Sequence, residues 1–428
     1  MAGLFAILIL VVLMGVGVPV AWSFAAVLAF LTMLYDVNLN TLMLQGFRSL
    51  NSIVLLALPL FVLTGYLMQS GGIAQRLIAL ISRLVAGRKG GLGASMVLGS
   101  SVFGAISGTA TAAVASIGMI MIDPLAKRGY ARGYAAALLG ISSLLGILIP
   151  PSITMILFAV VTRQSVAACF AATIGPAVLL IAGLILFNRL HAGDLPTEPL
   201  DRPEGREPGT WRLFLDAFPA LTLPVIILGG IYGGIFTPTE AAAVAVGAAL
   251  FIGGVIYRAF SWRGLRGALV GAAETTGSIM MILLFSFMIS RILAFERVPQ
   301  DLTEAIQMVA GDPISALLVV NLVLVVAGAL MDDVSVTVVV APLFLPLMVA
   351  NGIDPVQFAA IVACSVVIGA NSPPVAPILY MACRVGRAPV MDAVGPALKL
   401  IAFVAAPVLL ATTFWPPLSL TIPGWLGF

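Results

Sequence analysis

Four short segments interrupt the long apolar runs of this chain, and they are the places where its residues could do chemistry. Two are small polar turns, at 107–109 and 331–335, and two are proline pairs, at 150–151 and 373–374. A proline pair removes two amide donors and frees carbonyl groups of the preceding turn. Free carbonyl oxygens, with hydroxyl and amide oxygens beside them, are hard ligands suited to a small alkali cation. The segments therefore predict cation sites, although kinks that only improve helix packing would leave the same pattern.

The candidate ligands come from both halves of the chain. We expect sodium to contact Ser107, Gly108, Thr109, Gly146, Pro150 and Ser152 in the first half, and Gly328, Asp332, Asp333, Gly369, Asn371 and Ser372 in the second. A half-helix that begins after a break carries partial positive charge at its N-terminus and attracts an anion. On this basis the predicted substrate contacts are Thr109, Ser152, Ser335, Ser372 and Pro374.

Two acidic residues stand next to each other in one of these apolar runs. Carboxylates within a membrane are rare and by default mark an ion or proton pathway, which favours Asp332 and Asp333 as cation ligands. Asp is also an ordinary N-cap of a helix, and a hairpin needs such a cap at its tip. The sequence leaves both roles open for this pair. Glu240, which follows Thr237 and Pro238, is expected to cap its own helix.

Composition indicates the environment in which these segments lie. Of the 428 residues, 61% are hydrophobic and 9% are charged, and the mean hydropathy is +1.15. A soluble protein is about 45–50% apolar and about 25% charged. No globular core could bury this excess of apolar surface. The chain is therefore predicted to be an all-α polytopic membrane protein, with the lipid bilayer as the solvent for most of its surface.

The same composition argues against several other classes of function. The single histidine, His191, leaves no material for a histidine-bearing metal site or a Ser-His-Asp triad, which argues against an intramembrane enzyme. Cys169, Cys364 and Cys383 are far apart in apolar runs, so no disulfide framework is expected. The chain has no basic face with interleaved aromatic residues, so nucleic acid is not an expected partner. It also has no nucleotide-binding loop, and we expect no cofactor besides sodium as the coupling ion.

The order of the segments repeats between the two halves. Leu145–Pro151 matches Ile368–Pro374, and the first prolines of the two pairs stand 223 residues apart, since 373 − 150 = 223. We divide the chain into a first repeat at 1–190, a polar cytoplasmic linker at 191–212 and a second repeat at 213–428. Internal repeats of this kind underlie many folds of secondary transporters.

Each repeat is predicted to contain about five membrane crossings, a re-entrant hairpin and a helix broken at its proline pair. The hairpin tips are expected near 107–109 and 331–335. Because five is an odd number, the second repeat has the inverted orientation. With the N-terminus outside, 16 of the 21 Lys and Arg residues fall on the cytoplasmic side, as membrane proteins prefer. These 16 are Arg76, Arg83, Arg88, Lys89, Lys127, Arg128, Arg132, Arg189, Arg202, Arg206, Arg212, Arg258, Arg263, Arg266, Arg384 and Arg387.

At these motifs the sequence resembles the large membrane subunit of tripartite ATP-independent periplasmic (TRAP) transporters. The resemblance covers nearly the whole chain and depends on short motifs in order, which are Gly17–Ala21, Leu58–Phe61, Gly104–Gly108, Lys127–Tyr130, Ile149–Ser152, Phe236–Glu240, Gly352–Pro355 and Ser372–Val375. It implies an elevator-type transporter in the bacterial inner membrane, with both termini periplasmic. It also implies sodium-driven uptake of an organic acid delivered by a soluble periplasmic binding protein, with a small four-helix membrane subunit as companion.

The sequence departs from the family pattern near the predicted site. Ala113 stands where an acidic residue is common, and Ala376 and Ile378 stand where Gly and Asn are usual. An alternative function is a stand-alone sodium/dicarboxylate symporter of the related two-hairpin class, which works without a binding protein. Neither the departures nor the motifs identify the substrate.

Overall fold

The computed structural model describes residues 2–85, 89–191, 209–373 and 375–428, and within these ranges every regular element is helical. The helices of the first half, α1 to α11, are Ala2–Gly15, Val20–Leu34, Leu39–Leu50, Ala57–Ser70, Ile73–Val85, Gly91–Ser107, Ala110–Lys127, Arg132–Ser143, Leu145–Leu148, Ile153–Thr162 and Val166–His191. Those of the second half, α12 to α23, are Thr210–Tyr232, Pro238–Phe251, Trp262–Phe295, Val298–Ala310, Pro313–Leu330, Asp333–Ser335, Ala341–Ala350, Pro355–Gly369, Pro377–Gly386, Val390–Leu400, Ala406–Phe414 and Pro417–Trp425. A 3₁₀ helix and three π-helical segments adjoin these helices, at Ile53–Leu56, Ile252–Ile256, Val336–Val340 and Ile401–Ala405.

Many of these helices are long and apolar enough to cross a membrane. In the described part of the chain there are nine such spans, and a tenth if the bent pair Arg132–Leu148 and Ile153–Thr162 counts as one. The nine are Ile53–Ser70, Ala110–Lys127, Val166–His191, Thr210–Tyr232, Pro238–Ile256, Trp262–Phe295, Pro313–Leu330, Asp333–Ala350 and Val390–Phe414. Large apolar side chains such as Leu186 and Val225 are exposed on these helices, which only a lipid solvent would favour. The prediction of an all-helical, multi-pass membrane protein is confirmed.

Local sequence signals explain where equivalent helices begin in the two halves. Gly17 has a left-handed φ and Pro19 is the N-cap of α2, so the first apolar run divides into α1 and α2. At the matching place in the second half, Thr237 and Glu240 form a reciprocal capping box at the start of α13. The predicted capping role of Glu240 is therefore confirmed.

Two sets of helix contacts, which adjoin through α4 and α6, organise the fold. In the first, α4 packs against α13 and α14, and α2 packs against α14. In the second, the hairpin helices α6 and α7 pack on α8, and α16 packs on α19. The halves also exchange contacts, because α8 packs on α21 and α11 packs on α19. When the halves are aligned on their proline pairs, α8 corresponds to α19 and α11 corresponds to α21. The contact of α8 with α21 is therefore equivalent to the contact of α19 with α11, which agrees with an internal repeat.

Three features differ from the sequence-based division of the chain. The analysis of apolar runs does not anticipate α3 or the C-terminal α23, because a 12-residue polar–apolar helix and a nine-residue helix are too short to register as spans. Helix α11 continues to His191 and α12 begins at Thr210, so Arg212 lies in a helix and not in the predicted linker. The rest of that linker, 192–208, lies outside the described residues.

Candidate functional site

The first hairpin turns between α6 and α7 over three residues. Ser107 is the last residue of α6, Gly108 has φ +64°, and Thr109 is the N-cap of α7. The Ser107 hydroxyl donates to the carbonyl oxygen of Thr109 at 3.4 Å. A Cβ atom on Gly108 would lie 2.8 Å from the carbonyl oxygen of Pro151. The tip therefore lies directly against the first proline pair, and only glycine fits there.

The first broken helix consists of α8 and α9 before the proline pair and α10 after it, with a bend of 46°. Ser152 is the N-cap of α10 and is buried, and its hydroxyl oxygen accepts a hydrogen bond from the Met155 amide at 3.4 Å. The first amides of α10 have no partner within the helix, and this cap satisfies the one at Met155. The structure thus places Ser107, Gly108, Thr109 and Ser152 close to one another.

A pair of glycines joins each hairpin to its broken helix. A Cβ atom on Gly104 of α6 would lie 2.6 Å from the Cα atom of Gly146 on α9. In the second half, a Cβ atom on Gly369 of α19 would lie 2.5 Å from the carbonyl carbon of Gly328 on α16. Both obstacles are backbone atoms, which cannot rotate away as a side chain can. The predicted cation residues Gly146, Gly328 and Gly369 therefore lie where two helix backbones are in close contact.

The second hairpin turns at Met331 and Asp332, and its two acidic residues make different contacts. The Ser335 hydroxyl donates to the Asp332 carboxylate within the same turn. The Asp333 carboxylate instead accepts a hydrogen bond of 2.8 Å from the hydroxyl of Thr154 on α10. The tip of the second hairpin is therefore hydrogen-bonded to α10, the half-helix that follows the first proline pair. Asp332 occupies the N-cap position of α17, but its carboxylate binds the Ser335 hydroxyl and makes no capping hydrogen bond to a backbone amide, whereas Asp333 joins the two halves.

The second break lies between α19, which ends at Gly369, and α20, which begins at Pro377. The Ser372 hydroxyl donates to the Ile368 carbonyl oxygen at 2.8 Å, which leaves the lone pairs of the hydroxyl oxygen available. The Asn371 side chain is buried, and its amide nitrogen donates to the Val367 carbonyl oxygen at 3.2 Å. Pro374 lies outside the described residues.

The side-chain oxygen of Asn371 is a buried acceptor without a hydrogen-bond partner in the described part of the chain. It lies against Gly140 of α8, where an added Cβ atom would be 2.5 Å from it. A buried polar atom without a partner is destabilising and calls for an explanation such as an ion or a water molecule. This oxygen is therefore a candidate ligand for a cation.

The breaks and tips together form one cluster rich in neutral oxygens. Gly108 lies against Pro151, Thr154 binds Asp333, and Asn371 lies against α8 of the first broken helix. No group of three His, Cys, Asp or Glu side chains able to hold a metal occurs among the described residues. The chemistry of the cluster is thus that of hydroxyl, carbonyl and amide oxygens, with one acidic pair, which suits an alkali cation better than a transition metal.

Sequence reasoning missed two residues of this cluster. Thr154 is the partner of Asp333, and its position two residues after the N-cap Ser152 was the available signal. Gly140 provides the space for Asn371 and lies in an Ala-rich helix without any distinguishing motif. Ser335 and Ser152 are buried, and the Ser152 hydroxyl already caps α10, whereas Thr109 and Ser372 are partly exposed. Of the predicted substrate contacts that the structure describes, Thr109 and Ser372 are therefore the accessible ones.

Comparison with known proteins gives one family for nearly the whole chain. The family model described as "Tripartite ATP-independent periplasmic transporter, DctM component" matches residues 7–418. The chain is 32% identical over 441 residues to the C4-dicarboxylate TRAP transporter large permease protein DctM of Rhodobacter capsulatus, with 98% of each chain covered. It is also 32% identical to the sialic acid TRAP transporter large permease protein SiaM of Vibrio cholerae, with 96% of each chain covered.

Two further comparisons concern chain length and fold. The isethionate TRAP transporter permease protein DctMQ of Oleidesulfovibrio alaskensis is 31% identical, and the match covers 96% of this chain but 64% of that relative. The crystal structure of the Alcanivorax borkumensis YdaH transporter, described as having an unusual topology, aligns with a TM-score of 0.61 over 89% of each chain. At 14% identity this likeness concerns the fold alone.

Proposed function

The chain belongs to the DctM family of TRAP transporters, as their large permease, and on that premise we propose that it drives sodium-coupled uptake of an organic acid across the bacterial inner membrane. The observation that carries the proposal is the hydrogen bond between Thr154 and Asp333, because it brings the tip of one hairpin to the broken helix of the other half. Broken helices within a membrane persist where they line a binding cavity. On this proposal, the two breaks and the two hairpin tips together line the binding site.

The sodium ions would be held by oxygens on both sides of this cluster. In the first half the ligands would come from Ser107, Gly108, Thr109, Gly146, Pro150 and Ser152, and in the second from Gly328, Asp332, Asp333, Gly369, Asn371 and Ser372. The unpartnered oxygen of Asn371 and the free lone pairs of Ser372 support the second group. A cation there would satisfy a buried acceptor that protein groups leave unpaired.

The substrate would be an organic acid held by hydroxyl groups and helix N-termini. No Arg or Lys lies at either tip or either proline pair, so no bidentate cation is at hand for a carboxylate. Thr109 and Ser152 are the N-caps of α7 and α10, and Ser335 lies in the first helical turn after the second tip, where backbone amides favour an anion. Ser372 and Pro374 would contact the same molecule from the second break. The relatives named for a dicarboxylate and for sialic acid support an acidic solute.

The proposed system has two protein partners. A soluble periplasmic binding protein would deliver the solute, and a small four-helix membrane subunit would accompany this chain. This chain covers 64% of the isethionate relative DctMQ. The remaining part of that relative supports a further protein segment in such transport systems. Both termini would lie on the periplasmic side, as the distribution of Lys and Arg favours.

Reconstitution in liposomes tests the proposal. The chain alone is expected to give no uptake, and addition of the small subunit and the loaded binding protein should produce uptake that depends on a sodium gradient. Robust uptake of free solute by the chain alone would instead establish the stand-alone symporter. Full uptake from a proton gradient without sodium would contradict the sodium mechanism and assign coupling to the aspartate pair.

Substitutions at the second break test the cation ligands. N371A and S372A should each raise the sodium concentration for half-maximal uptake about tenfold, because one ligand oxygen is lost in a buried site. S101A is the matched control, since Ser101 is also buried and donates to the carbonyl oxygen four residues earlier, but it lies away from the tip. D332N should stay near the wild-type value if Asp332 only caps the hairpin, because an amide oxygen still accepts from Ser335.

A further inference from the structure

Glu274 is a carboxylate within a membrane-spanning helix, nearer to its N-terminal end. It lies on α14 between Arg266 and Arg291, and no other charged residue occurs between those two. The arginines are 25 residues apart, which is about 38 Å at 1.5 Å per residue. Glu274 stands about 12 Å from Arg266 along this axis. A hydrocarbon layer of about 30 Å between the two arginines would therefore include Glu274.

The Glu274 side chain points out of the chain. It is exposed, and in the described part of the chain no side chain donates a hydrogen bond to its carboxylate or forms an ion pair with it. The opposite side of α14 packs against α2, α3 and α4, and it buries residues such as Ala272 and Ile279. Ionisable side chains within a membrane are rare and almost always pair with another group. The described residues therefore leave the Glu274 carboxylate unpaired, and a donor on a neighbouring chain in the membrane would satisfy it.

The surface around Glu274 has the composition of a helix–helix contact. The exposed face is formed by Val270, Ala273, Glu274, Gly277, Ser278 and Met281, which recur every three or four residues, and we call it the Val270–Met281 face. A Cβ atom added to Gly277 would meet nothing within 4 Å. Small residues at this spacing allow the backbone of a second helix to approach closely within a membrane. The face thus combines space for a helix with a carboxylate that needs a donor.

We propose that the Val270–Met281 face binds a transmembrane helix of the small membrane subunit, and that this helix presents a cationic or hydrogen-bond-donating side chain to Glu274. The inference rests on the proposed function for the existence of that subunit, and it adds the surface and the chemistry of recognition. A carboxylate in hydrocarbon calls for a donor of complementary charge. The length of the DctMQ relative beyond the matched region is compatible with such a second membrane segment.

A second copy of this chain fits the face less well. A two-fold symmetric dimer places the same patch on both subunits, so a contact centred on this face would bring one Glu274 towards another. Two like charges in hydrocarbon repel, and neither could donate a hydrogen bond in its ionised form. The charge of the face therefore favours a different chain as the occupant.

Photo-crosslinking in native membranes identifies the occupant. A photoreactive amino acid at Ser278, in the chain co-expressed with its small membrane subunit, should give an adduct with the mass of this chain plus that subunit. The same probe at Gly395, an exposed and open position on α21, serves as the control and should give no such adduct. An adduct of twice the mass of this chain, or no adduct at Ser278, would overturn the proposal.

Co-purification measures the contribution of each feature. G277L should lower the amount of small subunit retained on the tagged chain about tenfold, because a bulky side chain fills the open space. E274L should lower it to a similar extent, and E274Q less, since its amide oxygen still accepts a hydrogen bond. G395L is the matched control and should retain the subunit. Normal retention by G277L and E274L would overturn the inference, whereas loss of the subunit from the wild-type chain would instead contradict the proposed function.

Discussion

At the scale of single residues, the two neighbouring aspartates show how position within a turn separates two similar side chains. Asp332 accepts from Ser335 in its own turn, whereas Asp333 accepts from Thr154, 179 residues earlier in the chain. The first contact stabilises the start of a half-helix, and the second holds two elements together. Removal of the Asp332 carboxylate is therefore expected to weaken the start of the half-helix, whereas removal of the Asp333 carboxylate is expected to weaken the contact between the two elements.

Ala376 is a second residue whose conformation is unusual. It has φ +41° at the start of α20, a left-handed conformation that costs an L-residue about 1–2 kcal/mol. Glycine would remove this strain but would lose about 0.5–1 kcal/mol in unfolded-state entropy, together with a buried methyl group. The left-handed φ of Ala376 is thus a physical reason for the glycine that the family resemblance leads us to expect at this place.

We predict that A376G leaves stability nearly unchanged, whereas A370G destabilises the protein by about 1–2 kcal/mol, the sum of the entropic loss and the lost buried methyl group. Ala370 is buried in the same break but has φ −62°, so glycine there brings the entropic loss without relief of strain. Thermal unfolding of the detergent-solubilised protein compares the two variants. Equal losses in both would show that the backbone at Ala376 is not strained.

At the scale of elements, each hairpin is fixed to a broken helix by a glycine pair. Gly104 meets Gly146, and Gly328 meets Gly369, so the same contact occurs once in each half. Close approach of two helix backbones is possible only where neither has a Cβ atom in the way. The matching contacts therefore fix each hairpin to the broken helix of its own half.

We predict that G104A and G369A each lower stability by about 1–3 kcal/mol, because the added methyl group meets backbone at 2.6 and 2.5 Å. Thermal unfolding in detergent measures the effect. G99A is the matched control on α6, since its Cβ atom would meet Ile78 at an ordinary 3.5 Å. A wild-type unfolding temperature in G104A would mean that the helices can separate without loss of stability.

At the scale of the whole molecule, the apolar faces of the described helices establish a membrane protein but not which side of it is cytoplasmic. The orientation depends on the 16 of 21 basic residues that fall on one side when the repeats are inverted. The three native cysteines are buried. An impermeant thiol reagent would therefore report mainly on a cysteine introduced at the surface.

We predict that T210C is protected from an impermeant thiol reagent in intact cells and labelled after lysis. Thr210 is exposed at the start of α12, next to the linker that is expected on the cytoplasmic side. E304C, on α15 at the opposite side in this topology, should be labelled in intact cells. The reverse pattern of labelling would invert the proposed orientation.

The sequence by itself determined the features that depend on local chemistry and on solvent. Composition predicts a helical membrane protein because the excess of apolar residues requires lipid, and Gly108, Pro150 and Pro373 mark breaks because their backbones disfavour a continuous helix. The family could also be identified, because its short motifs follow one another in order along nearly the whole chain. These signals lie within a few residues of the feature that they predict.

Only the tertiary structure decided which breaks and tips meet. The contacts of Thr154 with Asp333, of Asn371 with Gly140, and of Gly104 with Gly146 join segments that are far apart in the chain. Their partners depend on how whole helices pack, and packing is set by the combined shape of many side chains rather than by a local pattern. For the same reason the exposure of Glu274 could not be read from its apolar helix, since the neighbours that cover the other faces of α14 come from α2, α3 and α4.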